Sequence, residues 1–160
     1  RIEQMLASSE RVNFDFNQVL NGCIQGYQQI YSEIVFHCNP NDKVLNMSGS
    51  PEHIAQLFDK VIANAAEFSS DQQIFITTEY QQKEIIVHIS NNGPLLPEQM
   101  HERLFDSMVS VRESSTDTLP HLGLGLYIAR LICQFHQGKI KASNHHNPQG
   151  VTITMSFPRV

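Results

Sequence analysis
At 160 residues the chain is long enough for one compact core, and its 41% hydrophobic and 17% charged residues exclude a disordered or fibrous polymer. A formal net charge of −5, with no cluster of Lys and Arg forming a basic stripe, excludes the electrostatic footprint of a nucleic-acid binder. No apolar run approaches the roughly 20 residues that span a bilayer.

Cys23, Cys38 and Cys133 are widely spaced and form no CxxC, so they read as free thiols of a reducing compartment. The eight histidines fall at no metal-ligand spacing, and His145-His146 reads as a solvated turn. The chain starts at Arg1, with neither an initiator Met nor a signal-peptide pattern, and is expected to be a piece of a longer protein.

Residues 1–11 read as helical, with Ile2, Met5 and Leu6 on one face. Asp15 or Asn17 can cap a second helix to about Tyr31, striped by Val19, Leu20, Cys23, Ile24 and Tyr27. Residues 32–38 read as a strand and 44–47 as its hairpin partner, across Asn39-Pro40-Asn41-Asp42. Ser50 caps a long helix with Pro51 at its first position and the stripe Ile54, Leu57, Phe58, Val61, Ile62, Ala65. Two alternating strands follow, 73–80 and 84–91, and Asn91-Asn92-Gly93-Pro94 breaks the second. Pro97 opens a short helix to about Phe105, and 107–119 is a polar stretch expected to be a mobile loop. A strongly apolar helix spans 123–136 and ends on Gly138 as a C-cap glycine; strands 139–144 and 150–157 close the chain as a hairpin. The expected architecture is α+β, a two-layer sandwich. One mixed, mostly antiparallel sheet carries helices on one face, and its other face meets solvent or a partner.

Four segments occur in an order that suits a purine and its phosphates. Asn64 sits mid-helix, where its propensity is poor, and its amide oxygen is a hard donor of the kind Mg²⁺ takes. Gly123 and Gly125 open a helix, so backbone N–H groups and the positive end of the helix dipole can meet phosphate oxygens. Between them lie the glycine turn at 91–94 and the polar loop. Taken singly, each is equally a surface Asn, a tight turn or a loop.

Together they resemble the sensor histidine kinase branch of the GHKL ATPase superfamily, from about Phe14 to Pro158. Residues 56–69 are similar to its N box, 91–96 to its G1 box, 104–108 (Leu-Phe-Asp-Ser-Met) to its F box and 123–126 to its G2 box. Phe135-His136-Gln137-Gly138-Lys139-Ile140 and 150–158 resemble its closing hairpin. The resemblance implies a Bergerat-type ATP-binding catalytic domain over residues 13–160, with 107–121 as a lid. Residues 1–12 would be the tail of the preceding dimerisation and phosphoacceptor helix. It implies ATP and Mg²⁺ as cofactors, with Asn64 as metal ligand and Asn64, Lys60 and Arg112 in catalysis. Nucleotide contacts would come from Asn64, Asn91, Gly93, Leu95, Phe105, Leu122, Gly123, Leu124, Gly125, Leu126 and Thr152. It further implies a cytoplasmic domain of an inner-membrane-anchored homodimeric kinase. Its partners would be its own phosphoacceptor domain and, indirectly, a response regulator.

The chain departs from the family pattern at several positions. Lys60 stands where the family has Asn, Glu67 where it often has Lys, and Leu95 where the G1 box has its second glycine. His121 replaces another glycine before Gly123, and Asn91 replaces the aspartate that receives the adenine amino group, leaving one uncharged acceptor. Lys60 could supply the phosphate-binding charge, and Arg112 could reach the γ-phosphate; both could equally be solvated surface charges. Three functions stay open at this point. A kinase would pass phosphate to a histidine absent from this chain. A gyrase- or chaperone-type hydrolase would need a carboxylate base where Lys60 stands. A degenerate module would bind nucleotide weakly or bind partners only.

Overall fold
The computed structural model describes residues 2–39, 42–106 and 122–160. The expected mobile loop over 107–121, with Arg112 and His121, lies outside the described residues.

A short helix α1 (Ile2–Ala7) is followed by strand β1 (Val12–Asp15) and helix α2 (Phe16–Ile30). The expected helix over 1–11 stops early because the Ser8 and Ser9 hydroxyls both donate to the Met5 carbonyl, closing the last turn. Asp15, of the two candidates, caps α2: its Oδ1 accepts from the Asn17 backbone N–H at 3.0 Å and from the Leu45 N–H at 3.1 Å. Asn17 is instead buried, donating to the Lys43 carbonyl at 2.6 Å.

Strands β2 (Val35–Cys38) and β3 (Asn46–Gly49) do not form the expected hairpin. β3 pairs antiparallel with β1, Phe14 opposite Met47, and β2 pairs parallel with strand β4 (Gln73–Tyr80). The physical reason lies in Asn39 and Leu45. The Asn39 side chain accepts from the Thr78 N–H and donates to its carbonyl, carrying β2 on along β4 instead of turning it back. Leu45 and Met47, both fully buried, draw β3 into the core beside α2.

Helix α3 (Pro51–Phe68) begins as expected, with Ser50 accepting from the His53 N–H at 3.3 Å and Pro51 in the first turn. Its apolar stripe is buried throughout. Strand β5 (Glu84–Asn92) then pairs antiparallel with β4 and with strand β7 (Gly150–Pro158), which pairs with strand β6 (Lys139–His145). The sheet order is β2-β4-β5-β7-β6, with β1 and β3 as a separate ribbon. Ile74, Ile76, Ile85, Val87, Ile89, Ile153, Met155 and Phe157 fill one face and are buried. Phe16 joins the layers, edge-on to Phe58 at 5.7 Å and tilted to Phe157 at 5.9 Å. The expected helix after Pro97 is a single 3₁₀ turn, Glu98–Met100, followed by turns.

Helix α4 (Leu122–Phe135) ends on a left-handed residue, but that residue is Gln137, at φ 58°, and not Gly138. Gly138 is required for a different reason: a Cβ there would sit 2.2 Å from the Ser156 carbonyl oxygen of β7. Beside it, buried His136 donates from Nδ1 to the Ile132 carbonyl and accepts at Nε2 from the Ser50 N–H, at 2.7 and 3.0 Å. Burial holds its pKa below the ordinary histidine value. A Cβ on Gly49 would collide with this ring at 2.0 Å, so glycine and histidine together pin the start of α3 to the end of α4. All three cysteines are free, and burial pushes the Cys133 thiol well up.

Candidate functional site
The glycine turn at 91–94 lies where β5 stops, against the end of α3. Along β5 every second residue from Ile85 points at the helices, which places Asn91 inward and Asn92 outward. Asn91 is 4% exposed; its Nδ2 donates to the Asn92 carbonyl at 3.3 Å, and its Oδ1 accepts no hydrogen bond among the described residues. Asn92 is occupied on the other face. Its Nδ2 donates to Asp71 at 2.9 Å and its Oδ1 is 3.3 Å from His145 Nε2. The Asn92 hydrogen bond is the main reason the Asp71 carboxyl lies below its usual range.

Gly93 follows because the backbone must pass the end of α3: a Cβ on it would lie 2.2 Å from the Phe68 carbonyl oxygen. Gln149 fastens the turn from β7's side, its carbonyl accepting from the Gly93 N–H at 3.0 Å and its Nε2 donating to the Gly93 carbonyl at 3.2 Å. Leu95 is 37% exposed, and this position makes no close approach that would demand glycine. Leu96 is held by Asn144 of β6, whose amide accepts from its N–H at 2.9 Å and donates to its carbonyl at 3.0 Å. Sequence reading missed Asn144; a polar residue on an edge strand carries no local signal for such a clamp.

Above this turn, Lys60 and Asn64 stand one turn apart on the same face of α3, both half-buried. The Lys60 stem reaches Gly125 of α4: a Cβ on that glycine would touch Lys60 Cδ at 4.0 Å. Gly125, in the first turn of α4, therefore lies beside the Lys60 stem, and Leu126 next to it is buried in the core. No three His, Cys, Asp or Glu side chains gather into a metal cage among the described residues. The neutral oxygen of Asn64 is a donor that fits a hard cation arriving with phosphates, and Lys60 is a cation that cannot ligate one.

Two candidates stand elsewhere. Thr152 projects to the opposite side of the sheet, because Ile153, Met155 and Phe157 fix the inward parity of β7; its Oγ1 is 3.1 Å from His145 Nδ1. The β7 residue beside Asn91 is Val151. Phe105 is buried with Leu104 in the core rather than presented as an open ring. Asp106 next to it pairs with Arg130 of α4 at 2.8 Å.

Comparison with known proteins follows this geometry. Residues 49–160, from the end of β3 to the last strand, match the family model of histidine kinase-, DNA gyrase B- and HSP90-like ATPases. The sensor protein kinase WalK of Staphylococcus aureus is 27% identical over 168 residues, covering 99% of this chain and 39% of WalK. The signal transduction histidine-protein kinase ArlS of S. aureus strain USA300 is 28% identical over 151 residues, covering 94% of this chain and 33% of ArlS. The chain thus spans well under half the length of these curated relatives. The catalytic domain of histidine kinase ThkA, in a nucleotide-free form, superposes with a TM-score of 0.79 at 26% identity, over 94% of this chain and 99% of that one. The match covers more than two thirds of the chain, which therefore belongs to the histidine kinase-, DNA gyrase B- and HSP90-like ATPase family.

Proposed function
We propose that this is the ATP-binding catalytic domain of a two-component sensor histidine kinase, which transfers the γ-phosphoryl of ATP to a histidine on a dimerisation domain. The observation that carries this reading within the family is Lys60. A hydrolase needs a carboxylate one turn before Asn64 to activate water, and α3 offers an ammonium there. Phosphoryl transfer to a histidine needs no such base; positioning and charge neutralisation supply most of its catalysis. Asn91 accepts from the adenine amino group through Oδ1, and Gly93 with exposed Leu95 borders the base. Leu126 backs the pocket. Backbone N–H groups of residues 122–125 hold the phosphates, Lys60 and Arg112 neutralise them, and Asn64 supplies one oxygen to Mg²⁺, which would add charge neutralisation at the phosphates.

The same reading makes α1 the end of the helix leading from the dimerisation domain, with residues 8–11 linking it to β1. It makes the whole protein a homodimer, anchored in the inner membrane with this domain in the cytoplasm. No helix among the described residues is long and apolar enough to cross a membrane. A response regulator is the downstream partner; the similar kinase ThkA has been solved in complex with the response regulator protein TrrA. The test mixes this domain with its own dimerisation domain, Mg²⁺ and γ-labelled ATP. Acid-labile phosphate should appear on the dimerisation domain and not on this chain. Steady ATP hydrolysis without transfer would assign the chain to the hydrolases instead.

A further inference from the structure
The N-terminal segment is fastened to the two helices that form the phosphate side of the pocket. Leu6 is buried in the core at 4% exposure. Tyr127 Oη, just past the glycine pair of α4, donates to Glu3 Oε2 at 3.1 Å. About two turns further along α4, Arg11 donates to the Phe135 carbonyl and lays its guanidinium 4.0 Å from the centre of the Phe135 ring. A cation on the last carbonyls of a helix also opposes the negative end of its dipole. Between these points Ser9 Oγ lies 2.8 Å from Nε2 of His53, in the first turn of α3. The segment therefore runs alongside α4, touching it near both ends, and reaches α3 on the way.

We propose that residues 3–11 act as a positioning strap that sets the distance between the glycine turn of α4 and the Lys60–Asn64 face of α3. Through that distance they set the affinity of the pocket for nucleotide phosphates. The inference rests on reading this face as the phosphate site. The strap touches neither Lys60 nor Asn64, so it works through helix placement. α4 is held from outside by Glu3 and Arg11 and from inside by Leu126, Ala129, Ile132 and Cys133, all buried. Losing the outer contacts frees the end bearing Gly123 and Gly125 more than the end pinned by His136. Linkage makes the effect reciprocal: whatever the strap adds to ATP affinity, ATP adds to the docking of the strap.

The test compares the full chain with Tyr127→Phe, which removes one hydroxyl, and with Arg11→Ala. Calorimetry measures binding of ATP with Mg²⁺ and of adenosine, which has no phosphates, and hydrogen exchange follows residues 4–11. ATP should bind about fivefold more weakly to each variant while adenosine binding is unchanged, and ATP should slow exchange over residues 4–11 of the unaltered chain. Arg11→Lys, which keeps the charge but not the planar fork, should recover part of the loss. Unchanged ATP affinity in both variants overturns the strap. So does an equal loss for ATP and adenosine, which would mean general loosening. Failure of the unaltered chain to bind ATP would overturn the reading of the site itself, a result distinct from either.

Discussion

Asn91 gives the sharpest test of the pocket, because its chemistry and surroundings are both defined. The side chain is buried, one amide hydrogen is spent on the Asn92 carbonyl, and Oδ1 is available. Asn91→Ala removes that acceptor and leaves the adenine amino group facing an apolar methyl. A hydrogen bond between uncharged groups contributes about 0.5–1.5 kcal/mol net, so ATP and adenosine should both weaken by about tenfold or less, with or without metal. Asn91→Asp works in the other direction. A charged acceptor bonds at about 1.5–3 kcal/mol, a gain of about 1 kcal/mol over the amide, or roughly fivefold in ATP affinity. That carboxylate would be buried without a cationic partner among the described residues around Asn91, so the nucleotide-free variant should unfold at lower denaturant concentration than the unaltered chain. Adding ATP should close that gap. Calorimetry and urea unfolding with and without ATP read both effects. Abolished binding in Asn91→Asp would mean that the pocket uses the amide NH₂ as a donor to the base, and the assignment of Asn91 as acceptor would be withdrawn.

Three further outcomes follow from the geometry. Asn64→Ala should weaken ATP binding strongly with Mg²⁺ present and little in EDTA, because its oxygen acts through the metal; equal losses in both conditions would count against a ligand role. Thr152→Val should leave ATP affinity unchanged, since Thr152 faces His145 on the far side of the sheet; a loss comparable to that of Asn91→Ala would contradict the parity of β7. His136 makes stability pH-dependent. Its folded pKa is depressed by burial, with Arg11 and His53 adding to the effect, so the unfolded chain takes up a proton near pH 6.5 before the folded chain does. Its share of stability is therefore full above about pH 6.5 and is lost as pH falls from there toward the folded pKa. Urea midpoints measured between pH 8 and 5 should drop over that window, and His136→Gln should flatten the drop.

Much of this molecule was legible because its signals are local. The alternation in β4, β5 and β7, the Ser50–Pro51 start of α3 and the stripe of α3 each follow from residues within one or two turns of one another. Failures came where the deciding partner is distant in sequence. Residues 44–47 look like a hairpin partner for β2 until Val12–Asp15 is recognised as a strand, and that stretch is hidden beside a helix cap. Nothing near Asn39 announces that its side chain will continue β2 along Thr78. At the site, the order of the boxes pointed to Asn91, Gly93 and the α4 glycines, and the fold sets Asn91 inward and Gly93 against the end of α3. Thr152, expected at the nucleotide, lies on the other face of the sheet from Asn91, and Val151 is the β7 residue beside it, since a shift of one in a strand exchanges the faces. The strap was invisible for a related reason. Glu3, Ser9 and Arg11 form an unremarkable polar set until the fold lays them against Tyr127, His53 and Phe135.

Helix geometry also decides what chemistry α3 can offer. The helix does carry a carboxylate near the pocket, Asp59, one residue before Lys60. Adjacent residues on a helix point about 100° apart, so Asp59 cannot share the face of Lys60 and Asn64. It turns toward α2, where its Oδ1 accepts from the Tyr27 hydroxyl at 2.5 Å. Burial first, and the bond to Asp59 second, raise the Tyr27 hydroxyl far above its ordinary pKa, so it remains a donor at every physiological pH. The acid is thus committed to packing α2 on α3, and one turn before Asn64 the helix carries the Lys60 ammonium. An ammonium at that position can neutralise a triphosphate but cannot take a proton from water while it is charged. Exchanging the two residues, Asp59→Lys with Lys60→Asp, would place a carboxylate one turn before Asn64, the position a hydrolytic base takes.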